Sequence, residues 1–132
     1  MKILIVGLGA QGQKRKKLLN QRLVFATVDT KNESADFKNI KDVPLNKYDS
    51  VFVCTPDSEK LKILNYCIKY KKNALIEKPL VASSEKKIKK LETRANKENL
   101  VFYSAYNHRF EPHFLNIKKI IKSKVLGKIY YC

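Results

Sequence analysis

The stretch ILIVGLGAQG, residues 3–12, decides the fold of this chain. Its first four residues form a continuous apolar run, which is typical of a strand buried on both faces of a parallel sheet. The run leads directly into Gly7, Gly9 and Gly12, which are spaced as G-x-G-x-x-G. Gly7 permits a tight turn, Gly9 lets the backbone approach an anion, and Gly12 lets the next helix pack closely against the strand. The stretch therefore predicts a strand–turn–helix unit whose helix N-terminus binds the pyrophosphate of a dinucleotide.

An acidic residue in the next unit supports the same interpretation. The second apolar run, Leu23 to Val28, ends at Asp29, which follows Gly9 by 20 residues. A carboxylate there can accept hydrogen bonds from both ribose hydroxyls of an adenosine. Its charge would repel a 2′-phosphate, so we expect NAD to bind in preference to NADP, although the neighbouring Lys31 could offset the repulsion. The alternative is a helix-packing glycine turn with an incidental aspartate.

Apolar runs and helix-spaced stretches alternate along the rest of the chain. This alternation predicts an α/β, Rossmann-type doubly wound fold with a mainly parallel sheet and helices on both faces. The predicted strands are 3–6, 23–28, a weakly marked 37–40, 51–54, 74–76 and 100–103, with a further strand starting at 128–132. The first predicted helix covers 11–21, with Leu18 and Leu19 as its main apolar residues, and the second is capped by Asp57 or Ser58 and has Leu61, Leu64 and Ile68 on one face. The third starts at Ser83 or Ser84 and has an apolar stripe of Ile88, Leu91 and Ala95. The fourth starts at Pro112, and its predicted buried side is Phe114, Ile117, Ile120 and Ile121.

One interval fits this pattern poorly. Only six residues separate Asp29 from Asp36, whereas a crossover between parallel neighbours usually needs about 10–12 residues or more. Either the second crossover helix is reduced to a turn, or the strand at 37–40 is misplaced.

Composition limits the possible classes of function. The chain has 132 residues, the length of one ordinary domain, and 44% of them are hydrophobic, which excludes a disordered tail. Basic residues outnumber acidic ones by 28 to 12, for a net charge of +16, but only four of the basic residues are arginine. Nucleic-acid readers favour arginine for bidentate contacts. We therefore expect salt-sensitive adhesion to polyanions and no specific nucleic-acid partner.

The apolar runs and the cysteines bear on the compartment and on metal binding. No apolar run approaches the roughly 18 residues of a membrane span, and the short N-terminal run has no cleavage site behind it. Cys54, Cys67 and Cys132 fit no metal-ligand spacing, which indicates reduced structural thiols and no metal site. These features predict a cytoplasmic protein without a membrane partner.

Three further polar groups follow predicted strands, where ligands bind in open α/β sheets. They are Thr55-Pro56, Glu77-Lys78-Pro79 and Tyr106-Asn107-His108-Arg109. Together with the glycine turn and with Phe110, these groups resemble the glucose–fructose oxidoreductase/inositol dehydrogenase/MocA (Gfo/Idh/MocA) family, and the resemblance covers nearly the whole chain. Members of that family use NAD or NADP to oxidise or reduce a hydroxyl of a sugar, a nucleotide sugar or a cyclitol such as inositol.

The resemblance implies roles for individual residues. It implies that Lys78 faces both nicotinamide and substrate, which makes it the candidate catalytic residue. It also implies that Glu77 and Asn107 position the cofactor ribose or the lysine, that Arg109 is a structural or substrate-side residue, and that the Lys78–Pro79 bond is cis. The predicted cofactor-binding residues are Gly7, Gly9, Ala10, Gln11, Gly12, Asp29, Thr55, Pro56, Glu77, Lys78 and Asn107.

Simpler readings of these side chains remain open from the residues alone. Lys78 could be one more solvated lysine, and Glu77 could simply pair with Lys78 or with an arginine. His108 and His113 fit surface histidines better than catalysts.

The resemblance also bears on domain organisation. We expect a dinucleotide-binding domain at 1–122, with 123–132 as the start of a missing or truncated second domain. In the family that domain supplies substrate contacts and usually a catalytic histidine. We therefore expect NAD binding without turnover by this chain alone, self-association through the edge at 128–132, and a homo-oligomer for the full-length protein. The alternatives are a stand-alone, non-catalytic NAD-binding or regulatory module and a basic nucleic-acid-binding domain.

Overall fold

The architecture is a five-stranded, wholly parallel sheet flanked by helices, as seen in a computed structural model that describes residues 1–130. The strand order is β2-β1-β3-β4-β5, which confirms the predicted Rossmann-type fold. Its elements are β1 (Ile3–Val6), α1 (Ala10–Leu18), β2 (Val24–Val28), β3 (Ser50–Val53), α2 (Asp57–Lys69), β4 (Asn73–Ile76), α3 (Glu85–Lys97), β5 (Phe102–Ser104) and α4 (Pro112–Ser123), with 3-10 turns at Ile40–Asp42, Leu45–Lys47 and Asn107–Phe110.

The strand order places a ligand crevice at the centre of the sheet. The chain leaves β1 towards β2 on one side and then returns to β3 on the other side of β1. Because parallel crossovers are right-handed, this reversal puts α1 on one face and α2 and α3 on the other. The loops after β1 and β3 therefore diverge, which leaves the crevice that doubly wound sheets use for ligands.

The core lies on both faces of β1, as its apolar run predicts. All four residues of β1 are buried. On α2, Ile63, Leu64 and Ile68 are buried against the sheet, whereas Leu61, which was predicted to share their face, is only half-buried. Leu91 and Ala95 of α3 are buried as predicted, and Ile88 is half-buried.

The crossover from β2 to β3 contains no α-helix. Phe37 makes a single parallel bridge to Val28, and a 3-10 turn starts at Ile40. The predicted strand at 37–40 is therefore wrong, and the crossover helix is reduced to turns. Asp36 explains the tight path, because its carboxylate accepts hydrogen bonds from the backbone N–H and the hydroxyl of Thr27 and draws the short segment against β2.

Two helix starts and ends differ from prediction. Helix α1 ends at Leu18, which is 70% exposed and so does not anchor the helix; the buried residue of α1 is Gly12. Helix α2 begins at Asp57 itself, directly after Pro56. The Asp57 carboxylate accepts from Lys60 Nζ at 2.7 Å, and no side-chain hydrogen bond caps α2, so the predicted cap is wrong.

The C-terminal part departs furthest from prediction. Phe114, Ile117, Ile120 and Ile121, the predicted buried side of α4, are 44–49% exposed. Periodicity identifies an apolar stripe but not how fully it is covered, and within residues 1–130 this stripe stays about half exposed. Residues 128–130 form no strand, and residues 131 and 132 of that predicted strand lie outside the described part.

The two cysteines within the described residues behave as core residues. Cys67 is buried in α2 and Cys54 is half-buried after β3, and neither forms a disulfide. Burial raises the pKa of each thiol to about 12, so both stay protonated at neutral pH. Across residues 1–130, no helix has the length and apolarity needed to cross a membrane.

Candidate functional site

A cleft of about 980 Å³ opens where the loops after β1 and β3 diverge. Its walls are the glycine turn, the end of β2 with the following loop, and the Thr55-Pro56 segment. This volume is at the upper end of the roughly 300–1,000 Å³ typical of small-molecule sites. The cleft thus has room for an extended ligand, and it brings together the residues at 7–11, 29 and 55–56 that the sequence predicts as cofactor-binding.

The glycines shape the cleft in three different ways. Gly7 has φ +94°, and a Cβ there would lie 2.6 Å from the carbonyl oxygen of Cys54. A Cβ on Gly12 would lie 1.8 Å from the Gly7 carbonyl oxygen, so only glycine lets α1 start this close to β1. Around Gly9, by contrast, a Cβ would meet no atom within 4 Å. That open space beside the first turn of α1 fits a pyrophosphate, which the free N–H groups and the positive helix end would stabilise.

Asp29 connects the end of β2 to the glycine turn. Its Oδ2 accepts from the backbone N–H of Leu8 at 2.6 Å, and its Oδ1 accepts from the N–H groups of Lys31 and Asn32 at 2.8 and 2.9 Å. These bonds lower the pKa of Asp29 below its usual value, and the bond from the Asn32 N–H has the largest effect. A carboxylate has about four acceptor positions. Three are used, so about one remains for a ribose hydroxyl, rather than the two predicted from sequence.

Thr55 presents a hydroxyl that no residue within 1–130 satisfies. Its Oγ1 is buried without a hydrogen-bond partner, and the residue lines the cleft. A buried hydroxyl left unpaired costs about 1–3 kcal/mol. A polar ligand in the cleft would satisfy it, so Thr55 and the open space at Gly9 both fit a dinucleotide.

Glu77 is buried directly after β4 and does not line the cleft. It is 8% exposed, and its Oε1 accepts from Arg15 Nε of α1 at 2.5 Å. Of the alternatives left open by the sequence, pairing with an arginine is thus the observed one.

Lys78 and Asn107 are both exposed and do not line the cleft. They follow β4 and β5, at the same edge of the sheet as the cleft. The Lys78–Pro79 bond is cis, as the resemblance implies.

Sequence reasoning missed two cations near this edge. Arg15 stands within Lys14-Arg15-Lys16-Lys17, a basic run that in the sequence is typical of a solvated helix face. Its only distinguishing signal is that it is an arginine among lysines. Lys60 is buried in the structure, whereas in the sequence its only signal is that a basic residue stands three positions after Asp57.

The histidines lie apart from the cleft. His108 Nδ1 and His113 Nε2 lie 2.8 and 3.1 Å from the two oxygens of Glu111, and both rings are largely exposed. No group of three or more metal-ligating side chains occurs within the described residues.

Comparisons with known proteins agree with this geometry. Residues 1–106 match the family model GFO_IDH_MocA, described as an oxidoreductase family with an NAD-binding Rossmann fold. The chain is 26% identical over 94 residues to the uncharacterized oxidoreductase YrbE of Bacillus subtilis (strain 168), a match that covers 71% of this chain and 27% of YrbE.

Solved structures show the same fold at low identity. Myo-inositol 2-dehydrogenase from Lactobacillus plantarum aligns with a TM-score of 0.75 and 23% identity over 97% of this chain and 42% of that chain. Apo scyllo-inositol dehydrogenase from Lactobacillus casei aligns with a TM-score of 0.78 and 20% identity over 97% and 43%. This chain thus spans well under half the length of these relatives. Because the family model covers 106 of its 132 residues, the chain belongs to the Gfo/Idh/MocA oxidoreductase family, with an NAD-binding Rossmann fold.

Proposed function

We propose that this chain is the cofactor-binding part of an NAD-dependent oxidoreductase that acts on a hydroxyl of a sugar, a nucleotide sugar or a cyclitol. The observation that carries the proposal is the cleft itself, where the open space at Gly9, the unpaired Thr55 hydroxyl and the Asp29 carboxylate meet. The substrate class is supported by family membership and by the fold shared with two inositol dehydrogenases.

Different parts of the cleft would hold different parts of the cofactor. The backbone at 7–12, including Ala10 and Gln11, would bind the pyrophosphate, and Asp29 would accept a ribose hydroxyl. Thr55 and Pro56 would line the opposite wall. Bound nicotinamide supplies the hydride chemistry, and the protein contributes orientation and electrostatics.

Lys78 would act on the substrate side of the cofactor. Its ammonium group, close to the reacting oxygen, would stabilise developing alkoxide charge in a site from which water is excluded. Glu77, held by Arg15, and Asn107 would help position this lysine or the nicotinamide ribose. A proton acceptor would come from outside residues 1–130, since both histidines lie apart from the cleft.

The domain arrangement is part of the same proposal. Residues 1–122 would form the dinucleotide-binding domain and 123–132 would begin a substrate domain, in a protein that forms homo-oligomers. The support for this division into domains is that the chain aligns with only 42–43% of the inositol dehydrogenase chains. The family match likewise ends at residue 106.

Calorimetric titration with NAD and NADP tests the cofactor assignment. We expect NAD to bind more tightly, because the Asp29 carboxylate would repel a 2′-phosphate. Asp29→Ala should weaken NAD binding by about 1–3 kcal/mol, with circular dichroism and thermal denaturation to check that the chain still folds. Tighter binding of NADP than of NAD to the unchanged chain would overturn the assignment.

A non-catalytic NAD-binding or regulatory module is the second candidate. The position of both histidines on Glu111, away from the cleft, favours it. A reading frame that continues for roughly one more domain beyond codon 132 would support the enzyme. NADH absorbance with a panel of sugars, nucleotide sugars and cyclitols, measured on the protein from that longer reading frame, then separates the two. From residues 1–132 alone we expect NAD binding without turnover. Turnover would contradict the division into two domains.

A further inference from the structure

Lys60 is a buried charge that the proposed function does not use. It lies in the first turn of α2, and its side chain is 2% exposed. A buried charge is costly unless it is paired and hydrogen-bonded. Its Nζ meets that need by donating to Asp57 Oδ1 at 2.7 Å and to the carbonyl oxygen of Pro79 at 2.5 Å. A methionine would fill similar space without the charge, so the ammonium group at this position calls for a specific reason.

The Pro79 contact restrains the turn that carries Lys78. Pro79 comes directly after Lys78, and its carbonyl is held by Lys60 of α2. Glu77 comes directly before Lys78, and its side chain is held by Arg15 of α1. The side chain of Lys78 itself makes no hydrogen bond or ion pair with any residue of 1–130. Its two neighbours are therefore anchored on opposite faces of the sheet, while Lys78 projects unpaired between them.

The Asp57 contact ties the same lysine to the dinucleotide cleft. Asp57 is the first residue of α2 and follows Thr55-Pro56, which form a wall of the cleft. One ammonium group thus joins that wall to the turn after β4, across 19 residues of sequence. A shift of the wall would be transmitted to the turn through two short, charge-assisted hydrogen bonds.

We infer that Lys60 is a positioning residue, which fixes the Lys78-bearing turn against the wall of the dinucleotide cleft. This inference rests on the proposed function only in that Lys78 serves the reacting end of the cofactor. The anchoring itself is a property of the protein without cofactor. The two parts can therefore fail separately.

The anchoring is tested with backbone ¹⁵N relaxation of the full chain without cofactor. We expect the amides of Lys78 and Leu80 to have order parameters near 0.85, as in rigid backbone, and to fall below about 0.6 in Lys60→Met. Lys60→Arg, which keeps a charged donor, should restore them.

Lys72→Met is the matched control. Lys72 also holds two backbone carbonyls, those of Leu45 and Tyr48, each at 2.7 Å, but it lies at the opposite end of β4 from the Lys78 turn. It should lower thermal stability and leave the order parameters at Lys78 and Leu80 unchanged. If Lys60→Met leaves these values at the wild-type level, or if Lys72→Met lowers them equally, the inference is overturned. Should Lys60→Met not fold, Lys60→Gln, which is shorter and uncharged, gives the same comparison.

A second measurement links the turn to the cofactor. The rate of reductive methylation of Lys78, followed by peptide mass spectrometry, is compared with and without saturating NAD. We expect NAD to slow this rate at least about fivefold in the wild-type chain and less than twofold in Lys60→Met. No slowing in the wild type, together with a loosened turn in Lys60→Met, would support the anchoring and overturn the proposed role of Lys78. Equal slowing in both proteins would overturn the link to the cofactor.

Discussion

Arg15 and Glu77 lie 62 residues apart in the sequence, and Arg15 Nε donates to Glu77 Oε1 at 2.5 Å. Arg15 belongs to the helix that starts at the glycine turn, whereas Glu77 ends β4 directly before Lys78. The pair therefore fastens the helix at the dinucleotide cleft to the strand end that carries the candidate catalytic lysine. Both side chains are largely removed from water, so the pair is screened less than a surface ion pair.

Loss of Arg15 should be costly because it leaves a buried carboxylate without its partner. We expect Arg15→Met to lower the free energy of unfolding by about 2–3 kcal/mol, measured by urea denaturation. Lys62→Met is the control, since Lys62 and Glu59 form an exposed pair and its loss should change stability by less than about 0.5 kcal/mol. Adding Glu77→Gln to Arg15→Met should recover part of the loss. Equal effects of the two single substitutions would contradict this account.

Gly9 and Gly12 should separate ligand binding from folding. Gly9 has φ −69°, which any residue adopts, and space for a Cβ. Gly9→Ala should therefore keep the wild-type Tm but weaken NAD binding at least about tenfold, because the methyl group occupies the path of the pyrophosphate. Gly12→Ala should instead lose about 1–3 kcal/mol of stability through overlap with the Gly7 carbonyl. Calorimetry and thermal denaturation check both, and wild-type affinity in Gly9→Ala would show that the pyrophosphate lies elsewhere.

Thr55→Val removes the unpaired hydroxyl with almost no change in shape. Stability without cofactor should stay constant or rise by up to about 1 kcal/mol, because no hydrogen bond is lost within residues 1–130. NAD affinity should fall by about 0.5–1.5 kcal/mol if the hydroxyl bonds to the cofactor. Thr55→Ser should retain the wild-type affinity. A valine variant that binds NAD as well as wild type would remove Thr55 from the binding residues.

Asp36 should make the stability of the chain sensitive to acid. The Thr27 hydroxyl, with the Thr27 backbone N–H, holds the pKa of Asp36 below its usual value of 3.8. As the pH falls, Asp36 is therefore protonated in the unfolded chain before it is protonated in the folded chain. Its contribution to the free energy of unfolding is present above about pH 4 and is lost as the pH falls through the lower pKa of the folded state.

The measurement is the urea midpoint of wild type and Asp36→Asn at pH 7, 4 and 2.5. We expect the variant to be less stable than wild type at pH 7 and the difference to shrink towards pH 2.5. Asp42→Asn is the control, since the Asp42 carboxylate makes no hydrogen bond within residues 1–130. A difference that grows on acidification would refute the assignment.

The sequence by itself determined the local features of this protein, which are those that depend on residues close together in the chain. The apolar run of β1 and the steric demands at Gly7 and Gly12 are local, so the strand–turn–helix unit and the ligand edge of the sheet were both predictable. Motifs at strand ends were predictable for the same reason, because parallel strands bring their carboxyl ends to one edge. The cis bond before Pro79 and the family were predicted from the resemblance, which itself rests on these local motifs.

Only the tertiary structure decided which groups meet across the sheet. Lys60 and Arg15 look like members of a lysine-rich solvated surface, and their partners Pro79 and Glu77 are 19 and 62 residues away. The apolar stripe of α4 likewise shows in the sequence, but its exposure does not. Periodicity records which residues share a face of one element. Burial and pairing depend on what lies opposite that face in space, which no local pattern encodes.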